Sequence, residues 1–322
     1  MAVKALLWGA LGLALICAGC IYRARIHEAA AEAAFPPEGQ FVEVAGARVH
    51  AVVLGPEDAP AVVLIHGASG NTRDWTYRLA PELARSYRVI VLDRPGLGYT
   101  PRRDRRGDSI TRQALLLQEA AARLGADRPV VVGHSYGGAV ALAWAVNRPD
   151  TLSALVLLAA ASHPWDTGLS TYYKVLSHPV VGPPAIALLT AFVPDARVKV
   201  EVAKVFTPDA VPPGYLDHFG AGLTLRRASL RANALQRANL LDEIIALVPQ
   251  YPEIIVPAEI VHGTADTIVG AAIHSEPLSR AVPEARLTLL PGIGHMPHHA
   301  APDEVSAAIH RAVARAGLRD SD

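Results

Sequence analysis

Pro129-Val130-Val131-Val132-Gly133-His134-Ser135-Tyr136-Gly137-Gly138 is the stretch on which the fold turns. Its β-branched run reads as a short buried strand. The chain then turns through Gly133-x-Ser135-x-Gly137. An Ala-rich helical pattern follows at once in Gly138-Ala139-Val140-Ala141-Leu142-Ala143-Trp144-Ala145-Val146. Strand, tight turn and helix place Ser135 at an apex so sharp that neighbouring side chains would collide, which is why glycines flank it. The turn lifts the hydroxyl out of the sheet. It also leaves Ser135 at a helix N-terminus, where free N–H groups and the helix dipole favour negative charge. A Gly-x-Ser-x-Gly pattern alone also fits an inert serine in a glycine-rich turn. The surrounding chain has to decide between the two.

Working outward on the N-terminal side, Phe41–Val44 and Arg48–Leu54 alternate around Ala45-Gly46-Ala47 and predict an antiparallel hairpin. Ala61–Ile65 is wholly apolar, as expected of a central strand buried on both faces, and it runs into His66-Gly67-Ala68-Ser69-Gly70-Asn71. A helix is expected over 74–85. A strand over 88–92 ends in Asp93-Arg94-Pro95-Gly96, and a helix over 110–124 is capped by Ser109. On the C-terminal side, 152–158 reads as a sixth strand. The alternation predicts a mostly parallel, doubly wound α/β sheet with helices on both faces and ligands at the carboxyl ends of the strands.

Between Ser162 and Pro252 the alternation stops. Prolines and helical pieces over 184–193, 196–206 and 223–248 predict a helical cap inserted after the sixth strand. The first of these pieces is apolar around most of its circumference, so it is buried, faces a pocket or touches a membrane. The basic stretch Leu225–Arg231 reads as a solvated helix face. Strands resume at Ala258–Val261 and Arg286–Leu290, with helices over 275–281 and 303–316. The expected organisation is a core over 41–161 and 253–318, and a cap over 162–252.

A serine hydroxyl is a weak nucleophile unless a base within hydrogen-bond reach removes its proton, and the base needs a partner that fixes its tautomer. The two strands after the cap end in His262-Gly263-Thr264-Ala265-Asp266 and in Pro291-Gly292-Ile293-Gly294-His295. Asp266 and His295 are therefore expected on neighbouring loops, at the edge where Ser135 emerges. His66-Gly67, Asp93-Arg94-Pro95-Gly96, Gly133-His134-Ser135-Tyr136-Gly137-Gly138, the strand-end Asp266 and Gly294-His295 together resemble the α/β-hydrolase superfamily, in its capped, esterase- and lipase-like serine hydrolase form. The resemblance covers nearly all of the chain after residue 40.

It implies Ser135 as nucleophile in an elbow, His295 as base and Asp266 as its orienting acid. It also implies the backbone N–H groups of Ala68 and Tyr136 as oxyanion hole. His298 and His299 are rival bases and Asp166 is a rival acid, each less well placed. His66, His134, His262, Asp93 and Arg94 read as loop-forming residues. A serine at the elbow argues against the dehalogenase and epoxide hydrolase branches, which use aspartate there. The expected activity is hydrolysis of a carboxylic ester with a hydrophobic part, through an acyl-serine. Carbon–carbon bond hydrolysis, cofactor-free perhydrolysis and a non-catalytic ligand receptor are the alternatives. No cofactor or metal is implied.

The 322 residues suffice for one large α/β domain with a subdomain, and half of them are apolar. Lys plus Arg equals Asp plus Glu at 30 each, so nothing points to nucleic acid. Both cysteines, Cys17 and Cys20, precede the domain, which excludes a disulfide frame, a thiolate metal site and a cysteine nucleophile within it. They lie in an unbroken apolar run, Ala5 to Tyr22, between Lys4 and Arg23. As a helix this run is about 27 Å long, near the lower limit for crossing a bilayer. Residues 1–24 are expected to be a membrane anchor on a stalk over 25–40. The alternatives are a lipoprotein signal ending at Cys20, although Cys17 stands where such signals usually hold Leu, and a cleaved secretory peptide. Lys4 and the amino terminus nearly balance Arg23 and Arg25, so orientation is not set.

Overall fold

The computed structural model describes residues 2–318. It begins with one long helix, α1 (Ala2–Ala34), and then enters an eight-stranded sheet. The strands are β1 (Gln40–Val44), β2 (Ala47–Leu54), β3 (Ala61–Ile65), β4 (Arg88–Leu92), β5 (Val130–His134), β6 (Ala154–Leu158), β7 (Ala258–Gly263) and β8 (Ala285–Leu290). Their order across the sheet is β1-β2-β4-β3-β5-β6-β7-β8, and from β4 onward all neighbours are parallel. The β1–β2 hairpin joins antiparallel at one edge. Strands β3, β5 and β6 are apolar without alternation because helices cover both of their faces. On one face lie α4 (Ile110–Arg123) and α5 (Tyr136–Asn147), packed on Val63, Ile65, Val131 and Leu155. On the other, α14 (Pro302–Arg315) packs on Val130, Val156 and Val261. Helix α12 (Ser275–Ala281) joins β7 to β8.

Two expectations about helices need correction. The single helix expected over 74–85 is two short ones, α2 (Arg73–Thr76) and α3 (Leu79–Leu83). Pro81 lacks an N–H, and its ring would meet the Tyr77 carbonyl in a continuous helix, so the chain breaks at Arg78, which leaves helical geometry. The helix expected over 223–248 is divided into α10 (Ala221–Thr224) and α11 (Arg227–Leu247). No proline causes this second break. Arg226 takes an extended ψ of 138°, and the Arg227 N–H donates to Glu28 of α1 at 2.8 Å. A carboxylate from the other end of the sequence thus satisfies the first turn of α11.

Between β6 and β7 there are only helices among the described residues: α6 (Thr171–Ser177), α7 (Gly182–Phe192), α8 (Asp195–Val205), α9 (Tyr215–His218), α10 and α11. They cover the carboxyl edge of the sheet. Helix α6 has no counterpart in the sequence reading. Helix α7 buries Ile186, Thr190 and Ala191 and leaves Leu188 and Phe192 exposed, so it is a one-sided helix despite its apolar sequence.

The C-terminal third of α1 is docked on these covering helices. Ala24 and Ala31 are buried, Arg23 Nε donates to the Ala191 carbonyl at 2.7 Å, and His27 meets Asp195 at 2.9 Å. Glu28 pairs with Arg227 at 2.7 Å and Glu32 with Arg226 at 2.9 Å. The basic stretch expected to be a solvated face is therefore a docking site for the segment expected to be a stalk. Ahead of Arg23, α1 projects with Leu6, Trp8, Leu15 and Ile16 exposed. It is the one helix among the described residues that alone is long and apolar enough to cross a membrane.

Candidate active site

Ser135 sits between β5 and α5 with φ of +53° and ψ of −117°, a backbone region that side-chain-bearing residues avoid. Close approach on both sides fixes it there. A Cβ on Gly133 would overlap the Gly137 carbonyl, and one on Gly137 would overlap the Ile65 carbonyl of β3. The Ser135 N–H donates to Leu158 of β6 at 2.9 Å, and the Ser135 carbonyl accepts from Gly138 at 3.0 Å and Ala161 at 3.2 Å. The strained residue is thus pinned by the strands on either side of it.

The loops after β7 and β8 bring Asp266 and His295 to this point. The Ser135 hydroxyl lies 3.0 Å from His295 Nε2, and His295 Nδ1 donates to Asp266 Oδ2 at 2.7 Å. Asp266 accepts three further donors: the N–H groups of Ile268 at 2.8 Å and Val269 at 3.0 Å, and His262 Nε2 at 3.1 Å. Burial alone would raise this carboxyl, but the hydrogen bonds from His262 and His295 outweigh it and hold the group well below the usual carboxylate range. It is therefore charged and directed at His295 across neutral pH. His262, read from sequence as a loop former, does more than that. Its Nε2 serves both Asp266 and the Val269 carbonyl, while its Nδ1 accepts from Ser275. The i,i+4 spacing of His262 and Asp266 around the end of β7 was the available sign.

The second part of the site is the loop after β3. Among the described residues the main-chain N–H groups of Ala68 and Tyr136 meet no protein acceptor. The N–H of Ser69, next to Ala68, is taken by Asn233 Oδ1 at 2.9 Å, and Asn233 Nδ2 returns a bond to the Ser69 hydroxyl at 2.8 Å. Asn233 belongs to α11, so a covering helix holds this loop. Arg94 holds it from below. Nε and one terminal nitrogen of its guanidinium donate to the carbonyls of His66 and Gly67, each at 2.9 Å. The other terminal nitrogen donates to Gln113 and Gln236. Burial without a carboxylate partner brings Arg94 down to about 10, still cationic at neutral pH.

A family model described as the alpha/beta hydrolase family matches residues 62–308. The chain belongs to that family. A protein of Mycobacterium tuberculosis without assigned function is 28% identical to this hydrolase over 276 residues, 82% of this chain and 77% of the relative. Among solved structures, a membrane phospholipase A described as a bacterial virulence factor superposes with a TM-score of 0.65 at 22% identity. The match covers 99% of this chain and all of that one. An esterase of Thermogutta terrifontis superposes with a TM-score of 0.68 at 20% identity, over 86% and 99% of the two chains. At such identities the likeness is one of fold.

The rival site residues of the hydrolase lie elsewhere. His298 and His299, on the short α13 (Pro297–Ala300), turn their Nε2 atoms to Asp74, at 3.3 and 2.9 Å, and Tyr215 of α9 donates to the same carboxylate at 2.7 Å. This buried knot ties α2, α13 and the covering helices together. Asp166 is exposed in the loop after β6, while His295 Nδ1 is occupied by Asp266. His134 donates from Nε2 to the His295 carbonyl at 2.9 Å. His66 accepts the Arg94 N–H at 3.0 Å, and His50 meets Asp93 at 2.6 Å.

Ser135, His295, Ala68 and Tyr136 open on a cavity of about 620 Å³. Its far walls come from the segment between β6 and β7 and from the loop after β7, through Trp165, Tyr173, Val205, Phe219, Leu240 and Ile273. A cavity of this size fits a small organic substrate.

Proposed function

We propose that this hydrolase cleaves carboxylic esters with a hydrophobic part, using Ser135 as nucleophile. The observation that carries the reading is the chain from the Ser135 hydroxyl to His295 Nε2 at 3.0 Å and from His295 Nδ1 to Asp266 at 2.7 Å, with its Ser135 end open to the cavity. His295 Nε2 takes the hydroxyl proton as Oγ attacks the ester carbon. The carbonyl oxygen gains the negative charge, and the N–H groups of Ala68 and Tyr136 receive it. The carbon–oxygen bond to the alcohol then breaks, and the alcohol leaves with the proton from His295. Water attacks the acyl-serine by the same route, releases the acid and restores the hydroxyl. Asp266 keeps His295 in the tautomer with Nδ1 protonated and stabilises the imidazolium that forms.

The apolar character of the substrate is supported by the aromatic and aliphatic walls of the cavity. Membrane residence through α1 is part of the same proposal. The exposed apolar part of α1 leaves the body beside α7, whose Leu188 and Phe192 are exposed in turn.

A fluorophosphonate probe is expected to label Ser135. Hydrolysis of p-nitrophenyl esters is expected to fall about 10⁴-fold or more in Ser135→Ala, with an unchanged melting temperature. An unlabelled protein, or a variant as active as the parent, overturns the assignment.

A further inference from the structure

Two ionised side chains face the cavity beside the histidines, and they differ in one respect. The Asp74 carboxylate has its oxygens taken by Tyr215, His298 and His299. Arg237 has no such partner. Its guanidinium stands over the rings of Trp165, 5.7 Å from the centroid, and Tyr173, at 5.6 Å. Among the described residues it forms no ion pair and donates to no acceptor. Three other arginines of the site and of α11 are engaged: Arg94 with two carbonyls and two glutamines, Arg227 with Glu28, and Arg231 with the carbonyls of Leu176 and His178.

The position of Arg237 is also informative. It lies one helical turn beyond Asn233, on the same face of α11, and Asn233 holds the loop that carries Ala68. The two rings restrict the guanidinium, so a ligand that meets its N–H edge need not order a free side chain. A planar fork of donors without an acceptor matches a carboxylate or a phosphate oxygen pair.

We propose that Arg237 is a specificity-determining residue that binds an anionic group, carboxylate or phosphate, on the substrate. This rests on the ester-hydrolase reading for the word substrate, and on the cavity alone for the site. The preferred ester then has an apolar stem and one negative charge remote from the scissile carbonyl. Such a compound arises wherever one of two acid functions is esterified.

The test separates binding from turnover. Full-length Ser135→Ala protein in a non-ionic detergent is titrated calorimetrically with monomethyl and dimethyl esters of glutaric, adipic and suberic acids. In at least one pair the monoanion is expected to bind about tenfold tighter or more than the neutral diester. Arg237→Gln is expected to remove the difference and Arg237→Lys to keep part of it, with melting curves showing both variants folded. Methyl alkyl phosphates of the same lengths show whether phosphate replaces carboxylate. Equal affinity within every pair, no binding of any monoanion, or a preference that survives Arg237→Gln overturns the proposal. Labelling of Ser135 by the fluorophosphonate probe in the parent reports on the catalytic reading separately, so the two can fail independently.

Discussion

The strand-end loops and the helices that cover them place functional side chains in opposite ways. At the carboxyl edge of the sheet, Ser135, Asp266 and His295 lie one, three and five residues past the ends of β5, β7 and β8, and parallel pairing of those strands fixes where the loops begin. In the covering helices, Asn233, Gln236 and Arg237 reach the site from one face of α11. That helix owes its own position mainly to packing of Leu230 and Ala234 on α6 and α7, with the Arg227–Glu28 pair at its first turn adding little. The first region is built by the sheet and tolerates little change. The second is built by side chains and can vary while the sheet stays as it is.

The largest expected test of that contrast is Asp266→Asn. With the amide oxygen held by the Ile268 and Val269 N–H groups, an N–H donor replaces the acceptor that faces His295 Nδ1, and ester turnover should fall about 10³- to 10⁴-fold with little change in KM. Retained turnover would mean that another group orients His295. On the opposite side of the comparison, Asn233→Ala frees the Ser69 N–H and the loop bearing Ala68. It should lower kcat by roughly ten- to a hundred-fold. A change confined to KM would show that the covering helix shapes the cavity without holding the loop.

Acid should act on both regions. Burial first, and then neighbouring positive charge, pushes His66, His274 and His298 down to about 4 from an ordinary value of 6.5. Below pH 6.5 the unfolded chain takes up protons at these positions and the folded chain does not, so stability falls as pH drops from 6.5 towards 4. The melting temperature should decline over that window, and His298→Gln should flatten the decline. A flat profile in the parent would refute the neutral state of these rings. The smallest effect is expected at the docked part of α1. Arg227→Glu should cost about 1 kcal/mol or less, because the pair with Glu28 is partly exposed. Adding Glu28→Arg should restore part of it in denaturant titrations.

Much of the site was legible because its residues lie next to strong local signals. Gly-x-Ser-x-Gly after a valine run, and an aspartate and a histidine just past strands of alternating elements, need only chain order and strand direction to be brought to one edge. The part missed lay further from such signals. The role of His262 depends on the way the loop after β7 folds back on it. Asn233 and Arg237 sit in a helix whose face could not be assigned, because α11 has little one-sidedness in its sequence.

The sequence alone determined the doubly wound sheet, the strained turn at Ser135 and the apolar run of α1. These follow from β-branched and apolar runs, from glycine at positions without room for a Cβ, and from hydropathy, all of which act within a few residues. Tertiary structure alone decided that Glu28 meets the first turn of α11, that His298 and His299 turn to Asp74, and that Arg237 faces the cavity with no partner among the described residues. Each of these joins groups about a hundred or more residues apart or leaves a charge without one, and only the packed chain sets such distances.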